Sequence, residues 1–156
     1  MNIRPRFAAL AAAVLAALPA LASAQVEPGY QQALEAGWAG HYGEALARID
    51  AYLAAHPGDR AAELDRARFL AWRGDYAAAA DLYEKLSTHK SIAPEDVLSR
   101  LARAATVAGE RKRAAEAWLR VYYEFPLTDA AKNAAQALPS LQDLVNKKDY
   151  KLDLGR

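Results

Sequence analysis

The sequence predicts an all-α protein, a stack of about three antiparallel helix hairpins closed by a C-terminal capping helix. Three observations lead there. About a quarter of the 156 residues are Ala, the strongest helix former. Val and Ile, which favour strands, are scarce, and Gly and Pro are few. A short motif opening on Gly recurs at a near-constant interval along the chain. The length suits one domain with its own core and is too short for two.

The first 24 residues are of another kind. Arg4 and Arg6 precede an apolar run from Phe7 to Leu21, broken only by Pro19, and Ala22-Ser23-Ala24 is a small-x-small step before Gln25. That is the pattern of a cleaved secretory signal peptide. The run falls short of the roughly 20 residues that span a bilayer, and no Cys follows it to carry a lipid. The expected product is periplasmic or secreted, begins near Gln25, and keeps no stable membrane anchor. Residues 25–138 would form the helical repeat domain and 139–156 a loosely packed tail.

Losing Arg4 and Arg6 leaves the acidic residues one ahead of the basic ones. A chain so near neutrality exerts no global pull on nucleic acid, which is not expected as a partner. Without Cys there is no disulfide, no thiolate nucleophile and no Cys metal site.

The repeat begins at Gly40-His41-Tyr42-Gly43-Glu44-Ala45, returns 34 residues later at Gly74-Asp75-Tyr76-Ala77-Ala78-Ala79, and again 35 later at Gly109-Glu110-Arg111-Lys112-Arg113-Ala114. Each copy has Ala five residues after the Gly, an apolar or aromatic residue at nine (Ile49, Tyr83, Trp118) and another at twelve (Tyr52, Leu86, Val121). Pro57 and Pro126 follow at seventeen in the first and third copies, while the second has its Pro late, at Pro94.

This grammar sets out the elements in order. A helix over 28–39 ends at Gly40, since Gly accepts the left-handed conformation just past a helix end. Tyr42, Ala45, Ile49 and Tyr52 then share one helical face, giving a helix over 42–55 that Pro57 stops. Asp59 caps a helix over 59–73, ended by Gly74. Tyr76 opens the next, over 76–88. Helices over 94–108 and 111–124 flank Gly109, with Pro126 as the stop. Thr128 caps a seventh, reaching Leu138 before Pro139, and a short helix fits within 140–148. One such hairpin cannot bury its own apolar face, so the units must stack.

Gly-x-Tyr-x-x-Ala, the later apolar pair and the terminal Pro, at a 34-residue period, resemble the tetratricopeptide repeat over roughly residues 27–138. The large residue that family carries early in each first helix is replaced here by Gly29, Glu63 and Leu98, and Arg111 stands where the turn Tyr would. The resemblance implies a right-handed superhelix whose concave face, lined by the first helix of each hairpin, binds peptide segments. A second similarity, over Val121-Tyr122-Tyr123-Glu124-Phe125-Pro126-Leu127-Thr128-Asp129-Ala130-Ala131, is to the superhelical non-catalytic part of soluble lytic murein transglycosylases. Nothing matches the Glu-Ser motif of their catalytic domain.

Counting back from each Gly places Trp38, Trp72 and Val107 at one inner position, Leu34, Arg68 and Arg103 at a second, and Tyr30, Leu64 and Ser99 at a third. Tyr30, Trp38, Leu64, Arg68, Trp72 and Arg103 are therefore the expected partner-binding residues, because aromatic area beside Arg is the composition of binding hot spots. The alternative is that the Trp rings are core between hairpins and the Arg side chains pair with neighbouring acids.

Chemistry finds little support. His41, His56 and His89 have no second His at helical spacing, and neither a Gly-x-Ser-x-Gly nor a phosphate-cradling loop is present. No catalytic residue, metal or cofactor is expected. Arg111-Lys112-Arg113 reads as a solvated helix start or, failing that, a basic landing spot. The expected function is a non-enzymatic periplasmic adaptor that binds a peptide segment of another envelope protein. The alternative is a glycan-associated solenoid accessory to peptidoglycan processing.

Overall fold

A computed structural model describes residues 27–88 and 93–145. The expected signal peptide, His89 and the end of the tail from Asn146 lie outside those residues. The described part is helical throughout, in the order α1 (Pro28–Trp38), α2 (Tyr42–Ala55), α3 (Arg60–Arg73), α4 (Tyr76–Ser87), α5 (Pro94–Val107), α6 (Arg111–Glu124) and α7 (Asp129–Ala137). A 3₁₀ turn over Leu138–Leu141 and a short α8 (Gln142–Val145) follow. None of these helices is long and apolar enough to cross a membrane.

The three glycine turns are built alike. Gly40, Gly74 and Gly109 all have φ between 81° and 98°. In each, the N–H of the next residue reaches back to a carbonyl five residues earlier: His41 to Ala36, Asp75 to Leu70 and Glu110 to Ala105, each at 2.9 Å. This closes the helix end and reverses the chain. Between hairpins, Asp59 caps α3 by accepting from the Ala61 and Ala62 amides at 3.0 and 3.1 Å, and Thr128 caps α7 through the Ala131 amide at 3.2 Å. Pro94, displaced from the stop position, occupies the first turn of α5 instead, where its missing N–H costs nothing.

α1/α2, α3/α4 and α5/α6 are the hairpins, and each second helix packs on the first helix of the next unit. The recurring positions are the core. Ile49, Tyr83 and Trp118 are buried, as are Leu86 and Val121. Ala at five after the Gly (Ala45, Ala79, Ala114) is fully buried in every copy, where a larger side chain would hold the helices apart.

At the first junction α1 lies so close to α3 that a Cβ on Gly37 would stand 2.1 Å from the buried Phe69 ring. At the other end packing runs on past Pro139, with Leu141 buried.

The basic run starts α6 with Arg111 and Lys112 exposed, as expected, but Arg113 is not solvated. Arg113 is largely covered and meets Asp81 and Glu110 at 2.8 Å, with Glu84 as a third partner. Burial opposes its charge, but the three carboxylates outweigh burial and raise its pKa further. Arg111 reaches Asp143 with both terminal nitrogens, at 3.1 and 2.8 Å, and the Ser140 carbonyl at 3.2 Å. A cation at a helix N-terminus opposes the helix dipole. Here it tethers α8 instead.

Candidate functional site

The inner stripe of α5 runs Glu95, Ser99, Arg103, Val107, four residues apart and so on one face. The corresponding stripes are Tyr30, Leu34 and Trp38 on α1, Leu64, Arg68 and Trp72 on α3, and Asp129 and Asn133 on α7. Between α3 and α5, with α4 behind, lies a hollow of about 160 Å³ lined by Arg68, Ala71, Trp72, Tyr76, Tyr83, Arg100, Arg103, Ala104 and Val107. Across α5 a second hollow is lined by Glu95, Asp96, Ser99, Arg100, Arg103, Thr128, Asp129, Ala130 and Asn133.

The fold gives the six expected residues different tasks. Trp38 and Trp72 are not core: they are 70% and 48% exposed, and Val107, at the same register, is 62% exposed. Trp72 is steadied by Tyr42 and Phe69, at centroid distances of 6.0 and 5.8 Å. Arg68, Trp72 and Arg103 meet at the first hollow. Tyr30 and Leu64 do not. Leu64 packs against the core. Tyr30 stacks on Tyr52 at 4.9 Å and donates its hydroxyl to Asp65 at 2.6 Å. Burial, and then the Asp65 carboxylate, push the Tyr30 pKa well above its usual value, so the proton stays in place. Ser99, which shares their register, is likewise turned inward, to the Glu95 carbonyl at 2.7 Å.

The two arginines differ as well. Arg68 is paired with Asp65 at 2.5 Å, a buried acid that would otherwise lack a counter-charge. Among the described residues Arg103 makes no ion pair, and its side chain lines both hollows. Arg100 is paired with Asp96 at 2.8 Å. Beside it the Tyr83 pKa is raised by burial, against the pull of Arg100 and Arg68.

Three polar residues lining the first hollow, Tyr76, Tyr83 and Arg100, were not picked out by sequence. Tyr76 and Tyr83 read as repeat-framework positions. Arg100 stands three residues before Arg103 and four after Asp96, and that spacing could have revealed it.

No protein-family model matches the chain, and no curated protein sequence does. Solved structures do. The first TPR domain of human RPAP3, solved by NMR, superposes with a TM-score of 0.58 at 20% identity, covering 74% of this chain and 93% of that one. MamA from residue 41 to its end, from Desulfovibrio magneticus RS-1, gives 0.58 at 20% identity, covering 79% and 77%. The fold is a tetratricopeptide-repeat solenoid. Within that solenoid one hollow brings the exposed Trp72 beside Arg103, which is unpaired among the described residues.

Proposed function

We propose that the protein is an exported, non-enzymatic interaction scaffold that holds an extended segment of another envelope protein along its groove. One observation carries the reading: Trp72 and the unpaired Arg103 border the same hollow between α3 and α5. A large exposed ring and a free guanidinium supply apolar area with little rotamer entropy and a fork for carboxylates. The segment recognised there carries an apolar residue next to an acidic one. Export rests on the Arg4-to-Ala24 pattern, and the mass of the chain recovered from the envelope tests it.

The groove is tested by using the mature chain as bait for envelope proteins, beside Arg103→Glu and Trp72→Ala. Arg68→Glu is a poor probe, because it would strip Asp65 of its counter-ion. Loss of the same partner from both variants is expected. Recovery equal to wild type would remove the groove from the binding site.

A further inference from the structure

The first two junctions between successive first helices share a register, and what they hold differs. Phe69 and Ala104 stand five residues before the turn glycines Gly74 and Gly109, and Gly37 and Ala71 stand three before Gly40 and Gly74. At the first junction α1 packs on α3, and α3 sets the Phe69 ring against Gly37. At the second, the same two positions are Ala71 and Ala104, and α3 and α5 do not meet as closely. Both alanines line the hollow between those helices. The hollow therefore lies where the preceding unit of the repeat seats a benzyl side chain of its own.

Its size and walls suit a ring. The volume of about 160 Å³ is close to the cavity of about 150 Å³ that takes up benzene. Trp72, which touches Phe69 at a centroid distance of 5.8 Å, lines the hollow together with Tyr76 and Tyr83. Aromatic pairs at such separations attract beyond their buried area. Three guanidiniums complete the lining, and cations sit favourably over ring faces. Ala71 keeps the Cβ that Gly37 lacks, so a ring here rests farther out than Phe69 does, where a bound segment can supply it.

Charge adds a second constraint. Arg68 and Arg100 are paired with Asp65 and Asp96, which leaves the exposed Arg103 for an acid of the ligand. The adjoining hollow across α5 carries Glu95, Asp96 and Asp129. Those carboxylates repel another and favour the α3 side of Arg103 for it.

Resting on the groove reading above, we infer that the hollow between α3 and α5 takes a Phe side chain of the bound segment, seated over Ala71 and Ala104 beside Trp72. An adjacent Asp or Glu of the segment pairs with Arg103.

The test uses the mature chain and blocked heptapeptides Gly-Ser-Asp-X-Asp-Ser-Gly with Phe, Leu or Ala at X. The Phe peptide should bind about tenfold or more tighter than the Ala peptide and about threefold or more tighter than the Leu peptide. Its ring current should shift the methyl proton signals of Ala71 and Ala104, which the other two peptides leave in place. Exchanging both of its Asp for Asn should weaken it about tenfold. Ala71→Gly combined with Ala104→Phe copies the first junction into the second and fills the hollow with the chain's own ring. That double variant should stay helical by circular dichroism and lose the Phe peptide. Trp72→Ala, at a half-exposed position, probes the same wall and should weaken binding several-fold. Equal binding of the three peptides, methyl signals that do not move, or undiminished binding to both variants each overturns the inference, as does failure of every peptide. Envelope-partner recovery judges the groove reading separately: loss in Arg103→Glu keeps it, and recovery equal to wild type removes it as well.

Discussion

The first junction of the solenoid, where α1 meets α3, and the last, where α6 meets α8, are held by different forces. At the first, Gly37 lets the Phe69 ring press against the α1 backbone, with that ring 1% exposed. Beside it Asp65, 9% exposed, gathers Tyr30 and Arg68. At the last, the Arg111–Asp143 clamp has side chains 54% and 58% exposed. Buried contacts are little affected by salt, whereas exposed charges are screened and weak. The N-terminal end should therefore behave as the rigid end and the α8 end as the one that opens first.

The largest effect expected on this contrast is that of Phe69→Ala, about 3–5 kcal/mol in urea unfolding. Gly37→Ala alone should cost about 1–3 kcal/mol by overpacking. In the Phe69→Ala background it should cost nothing, and could recover part of the up to about 1 kcal/mol by which Ala exceeds Gly in a helix. Equal costs in the two backgrounds would show that the ring is not the reason for the glycine.

Asp65→Ala comes next, at about 2 kcal/mol, because it strands the Tyr30 hydroxyl and Arg68 together. Asp59, at the junction between α2 and α3, is intermediate. Burial raises its pKa, but the Ala62 amide, the Tyr52 hydroxyl and the Ala61 amide hold it below the usual value. A depressed carboxyl contributes in full above the unfolded Asp pKa of about 3.9 and loses that contribution as pH falls through the folded value. Asp59→Ala should cost about 1 kcal/mol at neutral pH and give a shallower loss of stability below about pH 4. A parallel acid limb in wild type and variant would count against the cap.

The smallest effect is that of Arg111→Ala, at most about 0.5 kcal/mol and vanishing in high salt. Its signature should be faster amide exchange confined to 138–145. A cost matching that of Asp65→Ala would erase the contrast between the two ends.

Most of the fold was legible because the repeat writes its boundaries in residues with backbone consequences. Gly40, Gly74 and Gly109 mark left-handed turns, and Asp59 and Thr128 mark caps. Gly37 escaped notice, since its role lies in a contact with Phe69, 32 positions away in sequence. The register of the inner stripes was legible but not the orientation of their side chains. Trp72 and Arg103 border the hollow between α3 and α5 and Trp38 is exposed at the equivalent position of α1, while Tyr30 and Leu64, on the same stripes, are drawn inward by Asp65 and the core. Arg113 was misjudged for a related reason: of its three acids only Glu110 lies at helical spacing, while Asp81 and Glu84 sit on α4, and the acid facing Arg111 is Asp143. Spacing along one helix says nothing of charges on another.

Three turns of one geometry, each 34 or 35 residues from the last, make the hairpin an interchangeable part. A duplicate of the unit carrying α3 and α4 would enter and leave through the same backbone reversal and would set one further Trp in line with Trp38 and Trp72. The span of groove presented is thus adjustable by copying, provided that Ala71, which would then stand where Gly37 receives Phe69, also becomes Gly.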